Sequence, residues 1–233
     1  LPGTVAIDAG AGDDDLRLYV TNRTDTTISG GYGNDRIRVA GGPFFQLAVQ
    51  TNYGGVNNRN GTGGRIILVS LTVKGPMELK GSPGAEAVQV FAGSVFHSRV
   101  DIDFGGLIGG NSLTTRIQSA SGSLDLPRAE FRGPIFVTGG DRGDFIVLNG
   151  ALVFDTVTAS LNSGNDRIDI TAASGITVEL DVNLGTGNDD AFLAGRFSGQ
   201  VSGGAGDNDE LTRQSDEAFG DSMVSGFEML RMF

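Results

Sequence analysis

The chain has 233 residues, enough for one sizeable domain or a continuous array of repeats, and 39% are hydrophobic, enough to bury a core. Glycine supplies 38 positions without the three-residue period of collagen, and the formal net charge of −11 disfavours nucleic acid and anionic membranes while attracting cations. Cysteine is absent, so disulfides and thiolate metal sites are excluded; no apolar run reaches the roughly 18 residues a membrane helix needs.

The opening LPGTVAIDAG lacks the basic start and long apolar run of a signal peptide. AGAGDDDLRL (9–18) and GGYGNDRIRV (30–39) then join a glycine turn to an acidic position, Asp14 and Asp35. Alternating apolar residues follow each, at Leu16/Leu18/Val20 and Ile37/Val39. Residues 41–64, with Phe44, Phe45 and Tyr53, read as an irregular excursion and a candidate contact surface, ending in a degenerate copy at 61–69. GSPGAEAVQV (81–90) places Glu86 at the acidic position.

HSRVDIDF (97–104) sets the one histidine, His97, near Asp101 and Asp103, a grouping that a polysaccharide hydrolase or lyase could use. Period two puts both aspartates on one strand face, outward when Val100 and Ile102 face inward. Residues 103–123 fall out of phase. The rhythm returns in GGDRGDFIVL (139–148), LNSGNDRIDI (161–170), LGTGNDDAFL (184–193) and GGAGDNDEL (203–211). Their acidic positions are Asp144, Asp166, Asp189 and Asp209, with Asn208 the alternative in the last copy. The RGD at 142–144 is accounted for by the repeat aspartate. MVSGFEMLRMF is apolar, and a C-terminal cap lying across the last coil is expected at about 220–233.

Most acidic positions recur every 20–23 residues, and strict alternation, as in GITVELDVNL (175–184), means strands with one face buried. Such a unit cannot bury its apolar face alone, so neighbours stack and share a core. The expectation is one all-β domain over 1–233, a β-solenoid of about ten coils of 20–23 residues. The even motif spacing argues against the alternative, a sandwich. With aromatics at 7% and no tryptophan, the core should be mostly Val, Ile, Leu and Ala.

GGYGNDRIR (30–38) resembles the glycine-rich nonapeptide of the repeat-in-toxin, haemolysin-type calcium-binding family. One motif per coil, rather than two, is more similar to the glycine-rich β-strand repeats of large exported bacterial surface proteins. The resemblance implies a right-handed parallel β-helix, an extracellular or cell-surface location, and calcium between successive turns. Carried over residue by residue, the metal positions are Asp14, Asp35, Glu86, Asp144, Asp166, Asp189 and Asp209. Carboxylates stacked at the coil spacing would repel by roughly 1–3.5 kcal/mol per pair, a cost calcium would remove. A metal-free ladder of Asn and Asp hydrogen bonds, with Arg36 and Arg167 screening the acids, answers the same problem. Both answers stay open at this point.

No P-loop, dinucleotide fingerprint or Ser-His-Asp spacing is visible, so no catalytic residue is assigned. The function expected is a non-enzymatic, secreted bacterial structural or surface-assembly protein, a filament, layer or sheath subunit joined end to end. The alternative is an adhesin or carbohydrate-binding module that contacts polysaccharide through 41–64. A polysaccharide-processing enzyme at His97, Asp101 and Asp103 ranks behind both. Neither nucleic acid nor membrane insertion is expected.

Overall fold

The computed structural model describes residues 3–20, 24–50, 64–81, 87–104, 112–116, 128–148, 151–172, 174–214 and 224–232. These residues form 22 strands and no helix, and every pairing between strands is parallel. The all-β solenoid follows directly. Successive coils stack in register, so alternation along each strand sends one set of side chains into a continuous interior and the other into solvent.

Two long ladders run the length of the stack. The first orders β2 (Asp15–Val20), the start of β4 (Arg36–Gln50), β5 (Arg65–Val73), β7 (Ala87–Phe91) and β10 (Ser112–Arg116). It continues through β13 (Phe145–Val147), β16 (Arg167–Thr171), β18 (Asp190–Ala194), β20 (Glu210–Arg213) and β22 (Met229–Met232). The second orders β1 (Gly3–Asp8), β3 (Thr24–Ser29), the end of β4, β6 (Met77–Lys80) and β9 (Val100–Asp103). It continues through β12 (Ile135–Thr138), β15 (Val157–Ser160), β17 (Thr177–Asn183), β19 (Arg196–Ser202) and β21 (Val224–Ser225). A short third ladder serves only the middle coils: the end of β5, β8 (Val95–Phe96), β11 (Ala129–Phe131) and β14 (Ala151–Val153).

The even coil length holds only in part. Steps of 21, 22, 23 and 20 residues separate the stacked aspartates at both ends of the solenoid. In the middle the register passes from Arg36 to Arg65 and from Ser112 to Phe145, longer steps than those at either end. Residues 41–50 of the expected excursion complete β4 and carry the chain into the second ladder, with shifts of register around Gly41 and Phe44. Residues 51–63, including Tyr53, lie outside the described residues. The C-terminal segment likewise does not lie across the last coil. β21 and β22 each extend a ladder by one more rung.

The interior is a column of aliphatics, among them Ile37, Ile66, Ile146, Ile168, Leu180 and Leu211, all essentially without solvent contact. The core is mostly aliphatic, as expected from composition, and four phenylalanines join it: Phe44, Phe96, Phe104 and Phe131 are fully buried. Phe96 and Phe131 sit on adjacent rungs of the third ladder and stack with centroids 4.9 Å apart. Each of these rings fills interior space that an isoleucine would leave partly void.

Candidate functional site

Among the described residues, the glycine-rich motifs form the same corner, the turn that leads from the second ladder into the first. In the second coil Gly31 and Gly33 have φ of +85° and +145°, a region side chains avoid. A Cβ on Gly31 would stand 1.7 Å from the Gly10 carbonyl oxygen, so coil stacking itself demands glycine. The stacked turns exchange backbone bonds: Tyr32 N–H donates to the Gly10 carbonyl at 2.7 Å, and Gly12 N–H to that of Tyr32 at 2.6 Å. Where the motif lacks this glycine, Asn162 adopts φ +68° in its place and its side-chain amide donates to the Gly139 carbonyl at 2.8 Å.

At the end of each turn the aspartate points inward. Asp35, Asp144, Asp166, Asp189 and Asp209 are no more than 2% exposed. Asp35, Asp166, Asp189 and Asp209 each offer Oδ1 to the backbone amide of the counterpart one coil earlier. Asp14 N–H donates to Asp35 at 3.1 Å, Asp144 to Asp166 at 2.6 Å, Asp166 to Asp189 at 2.7 Å and Asp189 to Asp209 at 2.8 Å. The spine ends on a residue the motif search does not find: Asp209 N–H donates to Oε2 of Glu228 at 2.7 Å. Glu228 has no glycine run before it. Its only signal is the spacing of 19 residues from Asp209. A second, exposed set runs the opposite way along the corner, with Asn34 N–H donating to Asp13 Oδ1 at 2.9 Å and Asn188 N–H to Asn165 Oδ1 at 3.0 Å.

The other carboxylate oxygen is less well served. Oδ2 of Asp14, Asp35, Asp166, Asp189 and Asp209 is buried without a partner, whereas Gly140 N–H donates to Oδ2 of Asp144 at 2.8 Å. Burial therefore pushes the carboxyls of Asp35 and Asp189 above the ordinary aspartate range and that of Asp166 to about 7. The accepted amide opposes the shift, and the neighbouring carboxylates of the spine add to it. The arginines expected to screen these acids do not. Arg36 and Arg167 begin strands, where alternation turns them to solvent, and Arg167 lies 3.8 Å from Asp169 and above the Phe145 ring.

Calcium takes six to eight oxygens at 2.3–2.6 Å. Most rungs of the spine contribute one bare Oδ2, the Oδ1 atoms accept amides, and the turn carbonyls of Gly10, Tyr32, Asn162 and Thr186 already accept amides from adjacent coils. Among the described residues no three or more His, Cys, Asp or Glu side chains converge to hold a metal ion. Glu86 lies outside the described residues; Gly64 holds the equivalent place one coil before it, accepting Ala87 N–H with its carbonyl. The last repeat resolves to Asp209 rather than Asn208, and burial of Asp144 keeps the RGD carboxylate from solvent.

Asp101 and Asp103 lie on the outer surface of the second ladder, whereas the exposed His97 follows β8 at the end of the third. Val100 and Ile102 are buried, so Asp101 and Asp103 face outward. Both carboxylate oxygens of Asp101 accept Arg99 Nε, at 2.7 and 2.8 Å, and the guanidinium lies 4.0 Å above the Phe136 ring. That arrangement ties Asp101 to a local cation. Comparison of the chain with protein-family models, with curated proteins and with solved structures finds no match, so the functional reading rests on this geometry.

Proposed function

We propose that the chain is a non-enzymatic, exported structural protein that associates end to end through its terminal coils. The observation that carries this reading is the state of the first and last rungs. Among the described residues β2 pairs only with β4 and β22 only with β20. Open edges template further pairing. Their inward side chains belong to one register column: Leu16 at the first rung is half-buried, and Leu230 at the last is 51% exposed. Setting Leu230 of one copy over Leu16 of the next continues both ladder and core. Such a head-to-tail contact does not close on itself and produces a filament.

Chemistry narrows the seam. Arg213 stands in the second inward column one rung before Met232, so the apolar contact centres on the Leu230 column. The spine beneath it is held by amide-to-carboxylate hydrogen bonds, and assembly by this route does not require calcium. Light scattering across a concentration series, in calcium and then in chelator, tests the reading. Growth to large species in both conditions is the expected result, and Leu230→Asp should abolish it while leaving the monomer folded. A wild-type monomer at every concentration would sink the proposal. Growth only in calcium would return the spine to a metal-dependent reading.

A further inference from the structure

Strand alternation puts residues i and i+2 side by side on the outer face, roughly 6.6 Å apart. Along this solenoid several such neighbours are opposite in charge and neutralise each other. Asp15 pairs with Arg17, Glu78 with Lys80 and Glu130 with Arg132, each at 2.7 Å. Arg99 likewise holds Asp101 at 2.7 Å, and Arg167 stands 3.8 Å from Asp169. Asp103, two residues after Asp101, is answered by Lys80 on the preceding rung.

Two strands break this pattern. β4 carries Arg36 and Arg38, and β17 carries Glu179 and Asp181. Among the described residues none of these four is in an ion pair. Asp15, one rung before Arg36, is already held by Arg17. Arg38 lies between Arg17 and Ile67 in its column and keeps a buried Nε without a hydrogen-bond partner. On β17 exposure alternates strictly, so Glu179 and Asp181 both face solvent. Their neighbours on adjacent rungs are Thr158, Ser198 and Gln200, and Glu179 accepts only the Thr156 hydroxyl, at 3.4 Å.

Like charges held side by side repel, and an opposite pair at the same spacing relieves both. Arg36/Arg38 and Glu179/Asp181 share that spacing because each is an i, i+2 pair on an extended strand. Two outer faces laid together set each guanidinium against one carboxylate. We infer that the outer face of β4 in one copy docks on the outer face of β17 in a second copy. With a net charge of −11 on each chain, other side-by-side approaches are repulsive, so these two pairs select the contact. The patches lie on different ladders, so the contact is heterologous and leaves each copy one patch for the next. It joins copies side by side and does not involve the terminal rungs.

Sedimentation velocity of the full chain carrying Leu230→Asp, which removes the end-to-end seam, tests this contact by itself. Association is expected at about 0.01 M salt and protein up to about 1 mM. It should be lost at about 1 M salt, as the screening length falls from about 30 Å to about 3 Å. In this background Arg36→Glu with Arg38→Glu should remain a folded monomer at low salt. So should Glu179→Arg with Asp181→Arg, because either reversal gives both faces one sign. Mixing the two variants should restore association, since the native β17 face of the first meets the native β4 face of the second. A parent chain monomeric at low salt, association indifferent to either reversal, or a mixture of the folded variants that stays monomeric would overturn the inference. Whether the wild type grows through its terminal rungs is read separately from all three.

Discussion

Replacing Asp166 with asparagine asks whether the buried spine supports the fold through its charge or in spite of it. Asp166 accepts the Asp144 amide at 2.6 Å through Oδ1, and its Oδ2 is buried without a partner. Burial raises its carboxyl from the ordinary 3.8 to about 7. A folded-state value above the unfolded one means the native state holds the proton longer. Stability is therefore unpenalised below the unfolded value, falls as pH rises from about 4 to about 7, and carries the full penalty above that. A shift of this size corresponds to on the order of 4 kcal/mol, reduced to about 2–4 when local relaxation raises the effective dielectric.

Asparagine preserves the acceptor for Asp144 and cannot ionise. The variant should exceed the wild type by about 2–4 kcal/mol at about pH 8 and match it near pH 4. Urea unfolding at the two pH values, in chelator, measures this directly. A variant less stable than the wild type at the higher pH, or a difference that ignores pH, would refute the reasoning. The same titration in calcium separates the two readings of the spine: a bound cation would reverse the sign, making asparagine the weaker residue.

Coil stacking predicts a contrast between two positive-φ glycines, Gly187 at +143° and Gly175 at +78°. Gly187→Ala places a Cβ 1.6 Å from the Gly164 carbonyl oxygen and should cost about 3 kcal/mol or more, whereas Gly175→Ala meets nothing within 4 Å and should cost about 1 kcal/mol; thermal unfolding of the two variants compares them. Phe131→Ala removes a buried ring stacked on Phe96 in the third ladder and should destabilise by about 3–5 kcal/mol. Phe131→Leu should recover much of that loss, and equal effects of the two would show that the ring does not fill the interior there.

Much of the fold is legible in the order of residues. Glycine turns followed by Asp14, Asp35, Asp166 or Asp189, and then by alternating aliphatics, state both the corner and the strand that leaves it. These are local requirements: φ above zero at Gly31 and Gly33, and burial of every second residue. The direction of the carboxylates is not local. A Gly-Asn-Asp turn accommodates an aspartate facing a cation or one facing inward to an amide, and only the stacking of Asp166 against Asp144 and Asp189 decides between them.

The same holds for Arg36 and Arg167, adjacent to the acids in sequence and turned to solvent by strand parity. Glu228 joins the spine because β20 and β22 bring it there, without a motif of its own. The third ladder consists of two- and three-residue pairings too short to show a period. Periodicity, a near-neighbour property, thus determined that the chain would coil. The length of each coil set the register, and register alone decided which distant side chains face one another.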